Sequence, residues 1–148
     1  MVVDDSAVVR KILSTILTRA GISQVSFTNG YEALHALKTQ PDLLPSMMIL
    51  DLHMPKMDGY TLARLLRSNP RFDKSTIIFL TGYDSILNRL RARLLKSTRY
   101  MTKPFRAQDI LGIVSEYLRI APETAKPGIE HTPQKGGYHG YPIAASQR

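Results

Sequence analysis

A chain of 148 residues with 20 Lys and Arg against 12 Asp and Glu, a net charge of +8, has room for one substantial core and hardly for two. Its apolar content is ordinary, no apolar run approaches the roughly 18 residues of a membrane span, and no signal peptide stands at the start, so a soluble cytoplasmic protein is expected. The absence of cysteine excludes disulfides and thiol catalysis and leaves the compartment undecided.

The chain opens on Met1 to Val3, apolar and followed at once by Asp4 and Asp5, which places two carboxylates at the end of a short buried strand. After Ser6 a helix carries Val9, Ile12, Leu13, Ile16 and Leu17 on one stripe, with Gly21 as its stop. A basic amphipathic segment of this kind can lie on a membrane, but its place behind the acid pair favours packing on a core. Val25 and Phe27 alternate in a second strand. Asn29 and Gly30 then turn the chain into a short helix with Ala33, Leu34 and Leu37 that ends before Pro41.

The third strand organises the rest. Met47 to Leu50 are unbroken apolar, as in a strand buried on both faces, and Asp51 stands where that strand ends. Pro55, Asp58 and Gly59 open the next helix, Asp58 capping its first turn and Leu62, Leu65 and Leu66 facing inward before Pro70. Taken alone, Asp51 reads equally as a turn residue. Ligands, however, bind at the carboxyl edge of open parallel sheets. Two unit charges about 5 Å apart at an effective dielectric of about 20 repel by roughly 3 kcal/mol, so three converging acids call for a cation. Hard oxygen ligands, few in number and on a loop edge, suit magnesium.

A fourth strand, Thr76 to Leu80, delivers Thr81. Ser85 is placed to cap a fourth helix whose apolar stripe is Ile86, Leu87, Leu90 and Leu94, with Arg89, Arg93 and Lys96 on its other side. A short fifth strand over Arg99 to Thr102 ends in Lys103, and Ala107 to Ile120 form the last helix through Ile110, Ile113, Val114, Tyr117 and Leu118. Five alternating strand–helix pairs with short connections mean a parallel sheet with right-handed crossovers. Of the charged residues, 17 basic and 10 acidic lie at or before Ile120, so the positive excess belongs to the folded part. Residues 121–148, rich in Pro, Gly, His and Lys without periodicity, read as a flexible tail, and its His131 and His139 lack ligand spacing.

The acid pair, the MPKMDG run after Asp51, Thr81 at the end of its apolar run, Tyr100, and the Lys103-Pro104-Phe105 triplet together make residues 1–120 resemble the receiver domain of bacterial two-component response regulators, the chemotaxis-regulator fold. The resemblance implies a doubly wound, flavodoxin-like α/β domain with a five-stranded parallel sheet in the order 2-1-3-4-5. It implies that Asp51 accepts a phosphoryl group from a sensor histidine kinase or phosphotransfer protein in a Mg2+-dependent reaction. Asp5, Asp51 and the backbone carbonyl of His53 would bind the metal directly, with Asp4 acting through water. Lys103 and Thr81 would hold phosphoryl oxygens, and Thr81, on moving toward the phosphoryl group, would let Tyr100 rotate inward as the switch. Such a chain catalyses only its own phosphorylation and dephosphorylation and signals as a monomer or weak dimer to a downstream protein target. The alternative is a docking module of the same fold that acts without phosphorylation.

Arg89, Arg93, Lys96 and Arg99 make the face of the fourth helix, fifth strand and fifth helix basic, which fits an acidic protein partner. Nucleic acid is not expected, because no helix-turn-helix or aromatic-interleaved patch accompanies the charge. Some positions depart from the family pattern. Only three residues precede Asp4, Gly82 stands where alanine is usual, and Leu95 to Thr98 replace a small-residue turn. His53 and Tyr83 occupy the two variable positions that tune access of water to the acyl phosphate, and the bulk of Tyr83 implies slow autodephosphorylation.

Overall fold

Met47–Asp51 and Thr76–Thr81 are buried at every position, as continuous apolar runs must be when helices cover both faces of a parallel sheet. The computed structural model describes residues 1–83, 89–90, 93–95 and 98–118. Its strands are β1 (Val2–Val3), β2 (Ser26–Phe27), β3 (Met47–Asp51), β4 (Thr76–Thr81) and β5 (Thr98–Thr102); its helices are α1 (Ala7–Arg19), α2 (Gly30–Thr39), α3 (Gly59–Arg67) and α4 (Ala107–Leu118). All strands pair in parallel in the order β2-β1-β3-β4-β5, the doubly wound arrangement expected. No helix among the described residues is long and apolar enough to cross a membrane.

Local chemistry sets the helix ends. Ser6, Asn29 and Asp58 each accept a hydrogen bond from an amide of the first turn, at 3.4, 3.0 and 2.6 Å respectively. At the far end of α1, Gly21 adopts φ +71°, and the amides of Gly21 and Ile22 donate back to the carbonyls of Thr18 and Leu17 at 3.0 and 2.9 Å. This is the Schellman pattern, in which a left-handed residue satisfies the last carbonyls. Arg71 fixes the α2–β3 connection by donating to the carbonyls of Leu37, Pro41 and Leu43.

The sheet separates two apolar layers. Val3, Leu37, Leu50, Leu62, Phe79 and Tyr100 pack with α2 and α3 on one face. Val2, Leu13, Ile49, Leu80, Met101 and Ile110 pack with α1 and α4 on the other. Register carries the chemistry to one rim, since Asp51 pairs with Leu80 and Thr81 with Thr102, the residue before Lys103.

Some expectations need correction. Ile12 is 45% and Leu65 40% exposed, because each helix rests on one flat sheet face and only the middle of its apolar stripe reaches it. Leu90 and Leu94, four residues apart, are 49% and 79% exposed, while Leu95 takes the inward direction and packs on the α2–α3 layer. Val25 precedes β2 and is 41% exposed, although its carbonyl accepts from Val2 N at 2.9 Å. Ser85, Ile86, Leu87 and Lys96 of the expected fourth helix, and the tail, lie outside the described residues.

β1 is short, and the Met1 α-amino group does the work of a ladder amide by donating to the Met47 carbonyl at 2.9 Å. Burial lowers the pKa of this amine from 8.0 to about 6. Beside it lies a cavity of about 250 Å³ lined by Met1, Ile22, Gln24, Pro45, Met47 and Val114 among others.

Candidate functional site

The carboxyl ends of β1, β3, β4 and β5 meet at one rim. Asp4, directly after β1, is 1% exposed; its Oδ1 accepts from Ser6 N at 2.8 Å and its Oδ2 from Lys103 Nζ at 2.7 Å. Asp51, the last residue of β3, accepts from His53 N at 3.1 Å on Oδ1 and from the same Lys103 Nζ at 2.9 Å on Oδ2. Asp5 completes the group from the solvent side, and carboxylate oxygens of the three acids lie within 4.8 Å of one another. Arg10, one turn into α1, donates to the carbonyls of Asp4 and Asp5 at 2.7 and 3.0 Å and so fixes the loop that carries them.

Burial raises the Asp4 pKa, and the charge of Asp51 adds to the rise, while the hydrogen bonds from Lys103 and Ser6 offset part of it. For Lys103 burial works against the charged form, yet the two carboxylates outweigh it and hold the ammonium above its ordinary pKa. One lysine against three acids leaves the cluster net negative. Its donors are hard oxygens, two buried and one open to solvent, a set that fits magnesium retaining several waters.

The loop after Asp51 is held tightly. Met57 N donates to Pro55 O at 2.8 Å around Lys56, whose φ is +69°. This is a γ-turn of the rare, strained sense, and such a conformation in a non-glycine residue costs about 1–3 kcal/mol. Gly59 follows, and a Cβ there would stand 2.1 Å from the Asp51 carbonyl oxygen. The first turn of α3 therefore presses on the backbone of Asp51 as only glycine allows.

Thr81, fully buried at the end of β4, has its hydroxyl 3.0 Å from the Tyr83 carbonyl, 3.2 Å from the Tyr83 amide and 3.2 Å from Nδ1 of His53. Tyr100 already points inward at 8% exposure while the Thr81 hydroxyl is still on the Tyr83 carbonyl, rather than turning inward only after Thr81 moves, and its own hydroxyl donates to the same carbonyl at 3.3 Å. Thr81 O accepts from Lys103 N at 2.7 Å, and the Lys103–Pro104 peptide is cis.

Residues 1–115 match the family described as response regulator receiver domain. This chain belongs to that family. PilG of Pseudomonas aeruginosa is 30% identical over 118 residues, a match covering 80% of this chain and 85% of PilG. The sensor histidine kinase CheAY of Helicobacter pylori is 32% identical over 120 residues; the match covers 81% of this chain but 15% of CheAY. Among solved structures, the chemotaxis protein CheY4 of Vibrio cholerae superposes with a TM-score of 0.70 at 27% identity, covering 78% of this chain and 94% of that one.

In this receiver domain the structure brings Asp4, Asp5, Asp51 and Lys103 into one cluster and links His53, Thr81 and Tyr100 in a second network through the Tyr83 backbone. Arg99 pairs with Glu116 at 2.7 Å and lies over the Tyr117 ring at 5.1 Å, its side chain 16% exposed. Arg93 is exposed, Arg89 half-buried, and Lys96 outside the described residues. Sequence reasoning missed Arg10 and the contact of the His53 ring with Thr81. The place of Arg10, one turn after the acid pair, is a signal that could have found it. Nothing local announces the contact between His53 and Thr81, which are 28 residues apart.

Proposed function

We propose that this receiver domain takes a phosphoryl group on Asp51 from a phosphohistidine of a sensor kinase or phosphotransfer protein and passes the signal on through a protein contact. The observation that carries the reading is the Lys103 ammonium lying between Asp4 and Asp51 at 2.7 and 2.9 Å beside a third, exposed carboxylate. In the reaction an Asp51 carboxylate oxygen bonds to phosphorus as the phosphorus–nitrogen bond of the donor breaks and the imidazole leaves with its electron pair.

A carboxylate is a poor nucleophile toward an anionic phosphoryl group unless charge is screened and atoms are aligned. Asp5, Asp51 and the His53 carbonyl, with Asp4 through water, would hold Mg2+, which when bound supplies positive charge to the phosphoryl oxygens. Lys103, kept cationic by its carboxylate neighbours, adds a fixed charge on the other side. Thr81 gives its hydroxyl hydrogen to a phosphoryl oxygen by releasing the Tyr83 carbonyl. Tyr100 shares that carbonyl, so the change at Thr81 biases the position of Tyr100 and the shape of the surface around β5 and α4.

Mass spectrometry after incubation with acetyl phosphate and magnesium tests the reading. One phosphoryl group is expected on the parent chain and none on Asp51→Asn or on the parent without magnesium. A parent chain that gains nothing would overturn the proposal in favour of docking without phosphorylation.

A further inference from the structure

A threonine hydroxyl has one hydrogen and two lone pairs, and the network around Thr81 uses all three. Its hydrogen goes to the Tyr83 carbonyl at 3.0 Å, one lone pair takes the Tyr83 amide at 3.2 Å, and the other faces Nδ1 of His53 at 3.2 Å. The tautomer that completes this set carries its hydrogen on Nδ1, so the imidazole donates to the hydroxyl oxygen. The ring is exposed, but its main chain is pinned, because His53 N donates to Asp51 Oδ1 at 3.1 Å. The imidazole thus reaches from the loop after β3 to the end of β4.

From this geometry we infer that His53 is a positioning residue that holds the Thr81 hydroxyl in its unphosphorylated orientation, a restraint that phosphorylation of Asp51 must release. The inference rests on the reading of Asp51 given above. Thr81 has a single hydrogen to offer, and as long as both lone pairs are engaged by Tyr83 N–H and His53 that hydrogen stays aimed at the Tyr83 carbonyl. To reach a phosphoryl oxygen the hydroxyl must rotate and break with His53. The carbonyl it leaves keeps the Tyr100 hydroxyl as a donor at 3.3 Å. A smaller or non-bonding side chain at position 53 therefore favours the phosphorylated arrangement.

The test titrates beryllofluoride with magnesium, a mimic of the bound phosphoryl group, into the full chain and its variants, read from the amide resonances of Thr81 and Tyr83. One hydrogen bond removed corresponds to about threefold to tenfold tighter binding in His53→Ala and in His53→Gln, whose amide reaches the place of Nε2 and not that of Nδ1. His53→Asn, whose amide does reach the place of Nδ1, is expected to keep the parental affinity. In a Thr81→Val background His53→Ala is expected to change nothing. Unchanged or weaker binding by His53→Ala, a Gln variant that behaves like the Asn variant, or an effect that persists without the Thr81 hydroxyl would each overturn the inference. The bond is also read with no mimic present, since Thr81→Val must shift the His53 Nδ1 resonance of the ligand-free chain. If it does not, the role of His53 falls while the reading of Asp51, decided by mass spectrometry, stands.

Discussion

Lys103 is the counter-charge for two carboxylates that have little access to water. Asp4 is 1% and Asp51 6% exposed, so removing the ammonium leaves both without their cation. Breaking a buried pair from one side costs about 3–5 kcal/mol. Lys103→Met is expected to lose stability of that order in magnesium-free buffer and to recover part of it with magnesium, as urea unfolding in the two buffers will report. Gly59→Ala acts on the same site from behind. Its new methyl would overlap the Asp51 carbonyl oxygen, so the turn or the strand end must shift, at a cost of about 1–3 kcal/mol. Slower phosphorylation by acetyl phosphate should accompany the lost stability. At this scale the acids and the lysine were legible because each ends an apolar run or sits in a compact motif. The contact of the His53 ring was not, because its partner Thr81 comes from a separate segment, whereas Arg10 had a local signal in its place one turn after the acid pair.

The element that bears most watching is β1, two residues long, whose ladder is completed by the Met1 amine wherever that amine is free. Between pH 8.0 and about 6 the unfolded chain binds a proton at Met1 that the folded chain refuses. Stability from this group therefore falls as pH is lowered through that window, by about 2–3 kcal/mol, and is level outside it. Urea unfolding at about pH 8.5 and about pH 5.5 should show a drop in the free-amine chain that is smaller in an N-acetylated one, which has no charge to bury. Two aliphatic residues placed ahead of Met1, which carry the amine away from the Met47 carbonyl, should likewise make the drop smaller. They would also add ladder hydrogen bonds worth about 1 kcal/mol each and fill part of the cavity lined by Met1, Ile22 and Met47. Elements were legible where an apolar run or a cap marked them, as at β3, β4 and the ends of α1 and α3. Ser26–Phe27 offers too few residues for alternation to fix a boundary, and the leucines at 90, 94 and 95 show the wrong one of two neighbouring faces being read as inward.

For the whole molecule the decisive quantity is charge. A net +7 on residues 1–120, whose chemical rim is acidic, puts opposite potentials on different surfaces. If an acidic partner docks on the basic surface, its affinity should fall as salt rises from about 50 to about 300 mM and should drop further in Arg89→Glu/Arg93→Glu. A binding isotherm indifferent to both changes would remove that partner class. Arg99 is left out of the test because its side chain is only 16% exposed, between Glu116 and the Tyr117 ring. The strand order was legible from alternation and short crossovers together with the family motifs. Which basic residues face outward was not, because helical spacing groups them without saying which will find an internal partner.

Neighbouring residues of β5 answer to different interiors. Tyr100 belongs to the layer shared with α2 and α3, while Met101 is sunk in the layer shared with α1 and α4. Replacing the tyrosine should therefore loosen one layer while the methionine keeps the same strand anchored in the other. The domain has in effect a keel and a rudder, built from alternate side chains of a single ribbon.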